Sequence, residues 1–243
     1  MRDVRGALHA LMPVRRANGV LAGEACGVGC VLVLHWSVQN GYGTRMARPR
    51  TFDEAGALDA AMRAFWANGY EATSTQDLCE ATGLGRSSIY NTFKSKPDLF
   101  KRALARYIDM TTTAQLAILE DPGLPAVERI RVLLVKIIEA EVENRLNGRS
   151  IGCLGVNTTV ELSGRDGDIA RLLERDTDRR MTVLRATLEA GRRAGDISSN
   201  RTPEALSRYL NAVIGGMRVS AQGGADRTTL EAIAETAMDA LTC

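Results

Sequence analysis

The chain has 243 residues, of which 45% are hydrophobic, 25% charged and only 5% aromatic. This composition is ordinary for a globular protein and leaves room for one or two domains. The formal net charge of +2 excludes a strongly basic, histone-like DNA binder, but DNA binding through a local basic patch stays compatible with it.

The cysteines and histidines give no sign of a disulfide framework or a metal site. The five cysteines are odd in number and scattered, and Cys26-x-x-x-Cys30 has no matching Cys/His pair downstream. His9 and His35 are the only histidines, and both lie in the first 45 residues. We therefore expect no metal, no cofactor and a reducing, cytoplasmic setting.

Residues 1–45 differ from the rest, because they are rich in Gly, Val and Arg and lack helical periodicity. The apolar run Gly27–Trp36 has ten residues, whereas a membrane span needs about 20. No small-residue cleavage site for a signal peptide follows it closely. Since Met46 begins a segment that looks like a natural start, we predict that residues 1–45 are either a disordered arm or an upstream extension that is not made in the cell. A membrane anchor is the alternative.

Four helices are predicted between residues 51 and 119. Capping patterns, in which Ser or Thr precedes an acidic residue by three positions, mark the start of the first, second and fourth. The first helix starts at Thr51 and ends near Asn68, the second covers Thr75–Thr82, the third Arg86–Phe93, and the fourth, capped by Ser95, reaches Leu119. Gly83 is expected to form the turn between the second and third helices with a positive φ.

The rest of the chain is also predicted to be helical, after a break at residues 121–125. The predicted helices are one through Ile130–Ile138 that stops at Asn147-Gly148, then Gly152–Leu162, Asp168–Arg193, Pro203–Gly216 and Thr228–Leu241. The predicted fold class is therefore all-α.

Residues 73–100 have the layout of a helix-turn-helix, a motif that places its second helix in the DNA major groove. Its predicted apolar anchors are Leu78, Ala81, Leu84 and Ile89. Its predicted outward residues are Arg86, Ser87, Ser88, Tyr90, Asn91 and Thr92. Arginine suits guanine and asparagine suits adenine, while Ser and Tyr can hold phosphates. Spacing alone also allows a plain helical bundle with a solvated polar face.

Several further residues are predicted to contact the DNA backbone. Thr75 lies at the start of the second helix, and Lys94 and Lys96 flank the start of the fourth, where free N–H groups and the helix dipole attract phosphate. Arg48 and Arg50 precede the first helix, where a basic arm can reach the minor groove or the backbone. The same two arginines could equally serve as solubility charges.

Residues 48–104 resemble the DNA-binding domain of the TetR/AcrR family of bacterial transcriptional regulators. The resemblance is carried by Phe65, Gly69-Tyr70, Thr73-Ser74 and Ile89-Tyr90-x-x-Phe93-x-x-Lys96. It implies a homodimer whose two reading helices occupy successive major grooves, and a variable helical C-terminal domain that binds an inducer. The implied domains are an N-terminal three-helix DNA-binding domain at residues 46–104 and a helical ligand-binding and dimerisation domain at residues 105–243. Gly85 departs from the pattern, because many relatives carry a Ser or Thr cap there.

The stretch Gly152–Leu162 resembles a Gly-Cys-Leu-x-x-Asn segment found in the cavity-lining helix of one branch of the family. The predicted ligand-binding residues are Ile138, Cys153, Asn157 and Glu161. Cys153 is either a redox or electrophile sensor or a small buried apolar side chain. Asn157 and Glu161 either offer polar contacts in a mostly apolar pocket or simply cap and solvate the helix.

An apolar stripe in the helix that starts at Pro203 is predicted to form the dimer interface. Its members are Leu206, Tyr209, Leu210, Val213, Ile214 and Met217. Together with the last helix they could build an intersubunit four-helix bundle by two-fold symmetry. Both helices could instead form the core of a single chain, and the family resemblance favours the dimer.

The combined prediction is a ligand-responsive homodimeric regulator, a repressor that a small-molecule inducer releases from a double-stranded DNA operator. A cysteine-based redox or electrophile sensor on the same scaffold is the alternative. An enzyme is not expected, because the sequence has no Gly-rich phosphate loop and no His-centred triad. No membrane partner is expected.

Overall fold

The computed structural model describes residues 53–146 and 149–242, with Leu146 and Arg149 described by their backbone alone. The described part consists of helices and one short antiparallel hairpin. These are α1 (Glu54–Asn68), α2 (Thr75–Thr82), α3 (Arg86–Phe93), α4 (Lys96–Leu119), α5 (Ala126–Glu143), β1 (Arg145–Leu146), β2 (Arg149–Ser150), α6 (Leu154–Leu162), α7 (Gly167–Ala194), α8 (Pro203–Gln222) and α9 (Arg227–Thr242). The all-α prediction is confirmed.

Helices α1 to α3 and the start of α4 share a small apolar core. Its fully buried aromatic side chains are Phe65, Phe93 and Phe100, and the Phe65 and Phe100 rings meet edge to face with centroids 4.9 Å apart. The predicted start of α1 at Thr51 is wrong. The N-cap is Asp53, whose carboxylate accepts the Gly56 N–H at 2.9 Å.

Helix α4 is long enough to belong to two layers of the protein. It is 24 residues long, so it extends about 36 Å at 1.5 Å per residue. Leu99 near its start is buried with α1 and α3, whereas Leu116 and Leu119 near its end belong to a second apolar core. The predicted domain border at 104/105 falls inside this unbroken helix.

The second core lies among α4, α5, α7, α8 and α9 and contains mainly leucine and isoleucine. Two predicted helix ends are wrong here. Helix α5 ends at Glu143 rather than at Asn147-Gly148, since the hairpin β1–β2 begins at Arg145. Helix α8 continues past Gly216 to Gln222, because Met217 and Ala221 are both buried in the core and their packing outweighs the two glycines.

Some predictions fall on residues outside the described ranges. They are the assignment of residues 1–45, the contacts of Arg48 and Arg50, and the fate of Cys26 and Cys30. Of the helices in the described ranges, none combines the length and the apolar character that a membrane crossing requires.

Candidate nucleic-acid interface

Helices α2 and α3 form the predicted helix-turn-helix. Ser74 caps α2 and exchanges hydrogen bonds with Asp77, which is a complete capping box. Gly83 ends α2 in the left-handed region with φ of +68°, as predicted. Gly85 occupies the N-cap of α3 in an extended conformation and offers no side-chain cap.

Buried side chains fix the orientation of α3. Leu78 of α2 is fully buried, as are Ile89 and Phe93 of α3. Two predicted anchors are wrong: Ala81 is exposed and Leu84 only half-buried. Both lie where the short α2 ends at the protein surface, so the turn rests on Leu78 and Ile89.

The opposite face of α3 is exposed, as predicted for a groove-reading surface. Its exposed residues are Arg86, Ser87, Ser88, Tyr90 and Asn91, whereas Thr92 is half-buried. The Tyr90 hydroxyl lies 3.2 Å from Thr75 Oγ1 and so joins α3 to the start of α2. This contact, with a smaller contribution from Arg86, lowers the pKa of the Tyr90 hydroxyl.

The two predicted phosphate-binding lysines flank the turn between α3 and α4. Lys94 is exposed and ends α3 with φ of +63°, a conformation that lysine rarely adopts. Lys96 places its ammonium 4.4 Å from the centroid of the Tyr70 ring, which is cation–π distance. Thr75 therefore contacts the exposed face of α3 directly and Lys94 ends that helix, whereas Lys96 lies beside Tyr70.

Two of the four predicted ligand-binding residues, Cys153 and Asn157, lie about the start of α6. Cys153 is the half-buried N-cap of α6. The Asn157 side chain donates to the Ile151 carbonyl at 3.1 Å and accepts from Gln222 at 2.9 Å. Ile138 is buried in the second core. Cys153 and Asn157 thus share one end of α6, whereas Ile138 belongs to the apolar layer of α5.

A buried group of polar side chains beside Cys153 escaped the sequence analysis. This polar cluster comprises Tyr107, Glu141, Ser150, Cys153 and Arg218. The Tyr107 hydroxyl interacts with the Cys153 thiol and with Arg218. Arg218 Nη1 lies 3.7 Å from Glu141 Oε1, and the Ser150 hydroxyl donates to Glu141.

Burial and the contacts within the polar cluster together set the pKa values of its members. Burial raises the pKa of Tyr107 well above the usual range. It also raises the pKa of Glu141, against the opposing effects of Ser150 and Arg218. Burial by itself would lower the pKa of Arg218, but Cys153, Tyr107 and Glu141 outweigh it, so that pKa is raised and the guanidinium stays charged. The cluster thus surrounds the Arg218 cation with polar partners, as a charge removed from water requires.

Glu161 has contacts that the sequence did not indicate. Its two carboxylate oxygens accept the backbone N–H groups of Tyr70 and Glu71 at 3.0 and 2.8 Å. The Glu161 side chain therefore joins the last turn of α6 to the loop between α1 and α2. Its predicted role in a ligand pocket stays a prediction.

The predicted dimer stripe divides into two parts. Leu206, Leu210, Ile214 and Met217 are buried in the second core of the single chain, so their assignment to an intersubunit surface needs correction. An amphipathic helix packs its most apolar face on its own chain. Tyr209 is 39% exposed, and Val213 is half-buried. With α9 they line a groove of about 570 Å³ that contains Ile233.

Among the described residues, no group of three or more His, Cys, Asp or Glu side chains is arranged to hold a metal ion.

Sequence and structure comparisons give a consistent result for both halves of the chain. Residues 57–103 match the model for bacterial regulatory proteins of the tetR family, and residues 126–237 match that for the tetracyclin repressor-like C-terminal domain.

Three relatives illustrate the similarity. The chain is 34% identical to the HTH-type transcriptional repressor ComR of Escherichia coli K12, over 79% of this chain and 90% of ComR. It is 32% identical to the uncharacterized HTH-type transcriptional regulator YezE of Bacillus subtilis 168, over 68% of this chain and 84% of YezE. A solved structure of a cysteine mutant of the regulator CifR, in complex with a 26-base-pair double-strand operator, matches with a TM-score of 0.68 and 29% identity. That match covers 80% of this chain and 99% of CifR.

Proposed function

Because the chain belongs to the TetR family of bacterial transcription regulators, we propose that it is a homodimeric repressor that a small-molecule inducer releases from its operator. The observation that carries the proposal is the exposed face of α3. Its polar side chains face outward, while Ile89 and Phe93 hold the opposite face rigidly in the core. A rigid helix with exposed Arg, Asn and Tyr side chains is suited to reading base edges.

The residues of this face divide by chemistry. Arg86 and Asn91 carry the donors and acceptors that distinguish guanine and adenine, and Tyr90 lies between them along the helix. Contacts to phosphates are assigned to Thr75, Ser87, Ser88, Lys94 and Lys96, and to Arg48 and Arg50, which lie outside the described residues. Phosphate contacts set the register of the protein on DNA, and base contacts select the sequence.

The proposed homodimer uses the exposed side of α8 and α9. Tyr209 and Val213 line the groove there, and Ile233 of α9 adds a further apolar side chain. A two-fold contact between two such faces would cover this groove. It would also place two copies of α3 so that they enter successive major grooves, about 34–36 Å apart.

The proposed inducer site lies between α4, α5, α6 and α8, near Cys153, Asn157 and Ile138. The polar cluster supports this location, because a few convergent polar groups in an apolar layer are typical of ligand sites. Release requires that the inducer bind the DNA-incompetent conformation more tightly than the DNA-bound one. The same proposal divides the chain into domains at residues 46–104 and 105–243, with α4 crossing the border. It also includes a cytoplasmic location.

A cysteine-based sensor is the second candidate. It is supported by the position of the Cys153 thiol, which is half-buried beside the Tyr107 hydroxyl and the Arg218 guanidinium. Titration of operator binding with hydrogen peroxide separates the two candidates. If Cys153→Ser abolishes the response of the wild type, the thiol is the sensor. If the wild type and the variant respond alike, or neither responds, Cys153 is not the sensor.

Selection from random duplex DNA with the full-length protein tests the proposed function. We expect an enriched site with two inverted half-sites whose centres are about one helical turn, or a multiple of it, apart. If no sequence is enriched over the starting pool, the proposed function is wrong.

A further inference from the structure

We propose that Glu161, which lies outside the DNA-reading surface, is a positioning residue that fixes the orientation of α1–α3 on the rest of the chain and so sets the spacing of operator half-sites. This inference rests on the proposed function, because half-site spacing has meaning only for a DNA-binding dimer.

The Glu161 carboxylate is bound by two adjacent backbone N–H groups. Oε2 accepts from Tyr70 at 3.0 Å, and Oε1 accepts from Glu71 at 2.8 Å. Hydrogen bonds to an ionised carboxylate are about twice as strong as neutral ones. Because each oxygen has its own donor, the pair fixes both the distance and the rotation of the loop relative to α6.

Gly69 makes room for this carboxylate. Its φ of +83° turns the chain after α1, and a Cβ at this position would stand 3.3 Å from Glu161 Oε2. The Thr73 hydroxyl donates to the Gly69 carbonyl at 2.6 Å and closes the loop from its other side. The loop is thus shaped to present two N–H groups to one anion, and the anion that occupies it belongs to α6.

The same loop also contacts the predicted DNA side. The Tyr70 ring lies 4.4 Å from the Lys96 ammonium and 4.9 Å from the centroid of the Phe100 ring. Glu161 therefore holds the Tyr70 backbone, and the Tyr70 ring lies beside Lys96, a residue predicted to bind phosphate. A displacement of the loop would move Lys96 and the start of α4 with it.

Other contacts hold α1–α3 less specifically. Trp66 of α1 bonds to Gly152, and Lys101 of α4 pairs with Asp168 at 2.6 Å. Neither contact involves the backbone of Tyr70 or Glu71, so they can retain the three helices on the protein without fixing the loop that Glu161 holds. Loss of the Glu161 contact should leave the fold intact and widen the range of orientations that α1–α3 adopt.

Glu161→Gln is the test variant, because glutamine has the same shape but only one acceptor oxygen. Its amide N–H₂ group would face one of the two backbone donors and could not accept from it. Glu174→Gln is the matched control, since Glu174 is an exposed glutamate on α7 and the substitution changes the net charge equally.

The measurement is the dissociation constant for the operator selected by the wild type and for versions with one base pair added or removed between the half-sites. One base pair moves a half-site by about 3.4 Å and about 35°. When one base pair is added or removed, we expect the dissociation constants of the wild type and of Glu174→Gln to rise at least about tenfold. We expect the dissociation constant of Glu161→Gln to rise less than about threefold on the same DNA.

The ratio of the two dissociation constants separates positioning from stability. A partly unfolded variant has less active protein for every DNA alike, so its ratio would equal that of the wild type. A wild-type ratio in Glu161→Gln overturns the inference and leaves the proposed function standing. If the wild type selects no DNA sequence at all, the proposed function and this inference both fail.

Discussion

The indole N–H of Trp66 donates a 2.9 Å hydrogen bond to the carbonyl oxygen of Gly152. The Trp66 ring also meets the Tyr107 ring edge to face, with centroids 4.9 Å apart. Since Tyr107 belongs to the polar cluster and Gly152 directly precedes Cys153, Trp66 connects α1 to the proposed inducer site.

Replacing Trp66 with phenylalanine tests this connection. Phenylalanine keeps an aromatic ring against Tyr107 but removes the N–H donor, so the Gly152 carbonyl loses its partner. We expect the free energy of unfolding to fall by about 1 kcal/mol, the usual net value of such a hydrogen bond. Urea denaturation followed by circular dichroism measures it. An unchanged midpoint would show that the bond adds nothing to stability.

Gly85 should tolerate and even favour a serine. Its φ of −70° and ψ of 154° are typical of a helix N-cap, and a Cβ there would meet no atom within 4 Å. A serine hydroxyl could accept an N–H of the first turn of α3, and the unfolded chain would lose entropy. We expect Gly85→Ser to stabilise the protein by about 0.5 kcal/mol.

Gly83→Ala is the matched comparison for Gly85→Ser. A Cβ at Gly83 also meets nothing within 4 Å, but φ is +68°, where an L-residue costs about 1 kcal/mol. The two substitutions should shift the thermal midpoint in opposite directions. Shifts of the same sign would contradict the assigned backbone conformations.

The capping box of α2 should make stability depend on acid pH. The Ser74 N–H and hydroxyl bind the Asp77 carboxylate and lower its pKa below the usual value. Because the pKa is lower in the folded state, the carboxylate stabilises the protein above the unfolded pKa, and this contribution is lost as the pH falls through the folded pKa.

Asp77→Asn removes the group that titrates. The variant should therefore lose less stability than the wild type when the pH falls from neutral to about 3. This window contains the ordinary pKa of aspartate. Urea midpoints at both pH values measure the difference. Asp178→Asn, on the exposed side of α7, is the control and should behave as the wild type. Equal acid losses in Asp77→Asn and the wild type would contradict the assigned role of the box.

The homodimer proposal predicts a change of oligomeric state. Tyr209→Asp combined with Val213→Asp places two charges in the α8–α9 groove without touching the buried side of the stripe, such as Leu210. Because an unpaired charge is costly to bury in an interface, we expect sedimentation to show dimers for the wild type and monomers for the variant. A variant that sediments as the wild type would place the interface elsewhere.

Features that depend on neighbours in sequence could be predicted. The cap at Ser74, the cap at Ser95 and the positive φ of Gly83 each involve residues within a few positions of one another, and the structure has all three. The outward face of α3 follows from the same local periodicity, because Ile89 and Phe93 lie four residues apart and both point inward.

Features that depend on distant partners could not be predicted. Glu161 binds the Tyr70 N–H, 91 positions away in the chain, and no local pattern indicates that pairing. No local pattern marks Arg218 either, although it lies in the polar cluster with Glu141. Helix α8 passes Gly215 and Gly216 without a break because tertiary packing of Met217 outweighs their low helix propensity.

Operator binding by the double variant Arg86→Ala with Tyr90→Ala tests the central claim most directly, namely that the exposed face of α3 reads DNA. In a gel-shift titration on the selected operator, we expect the variant to bind at least about tenfold more weakly than the wild type. Arg193→Ala, an exposed arginine on α7, should bind as the wild type. Affinity of the double variant within about twofold of the wild type, a difference too small for a lost base contact, would contradict the account.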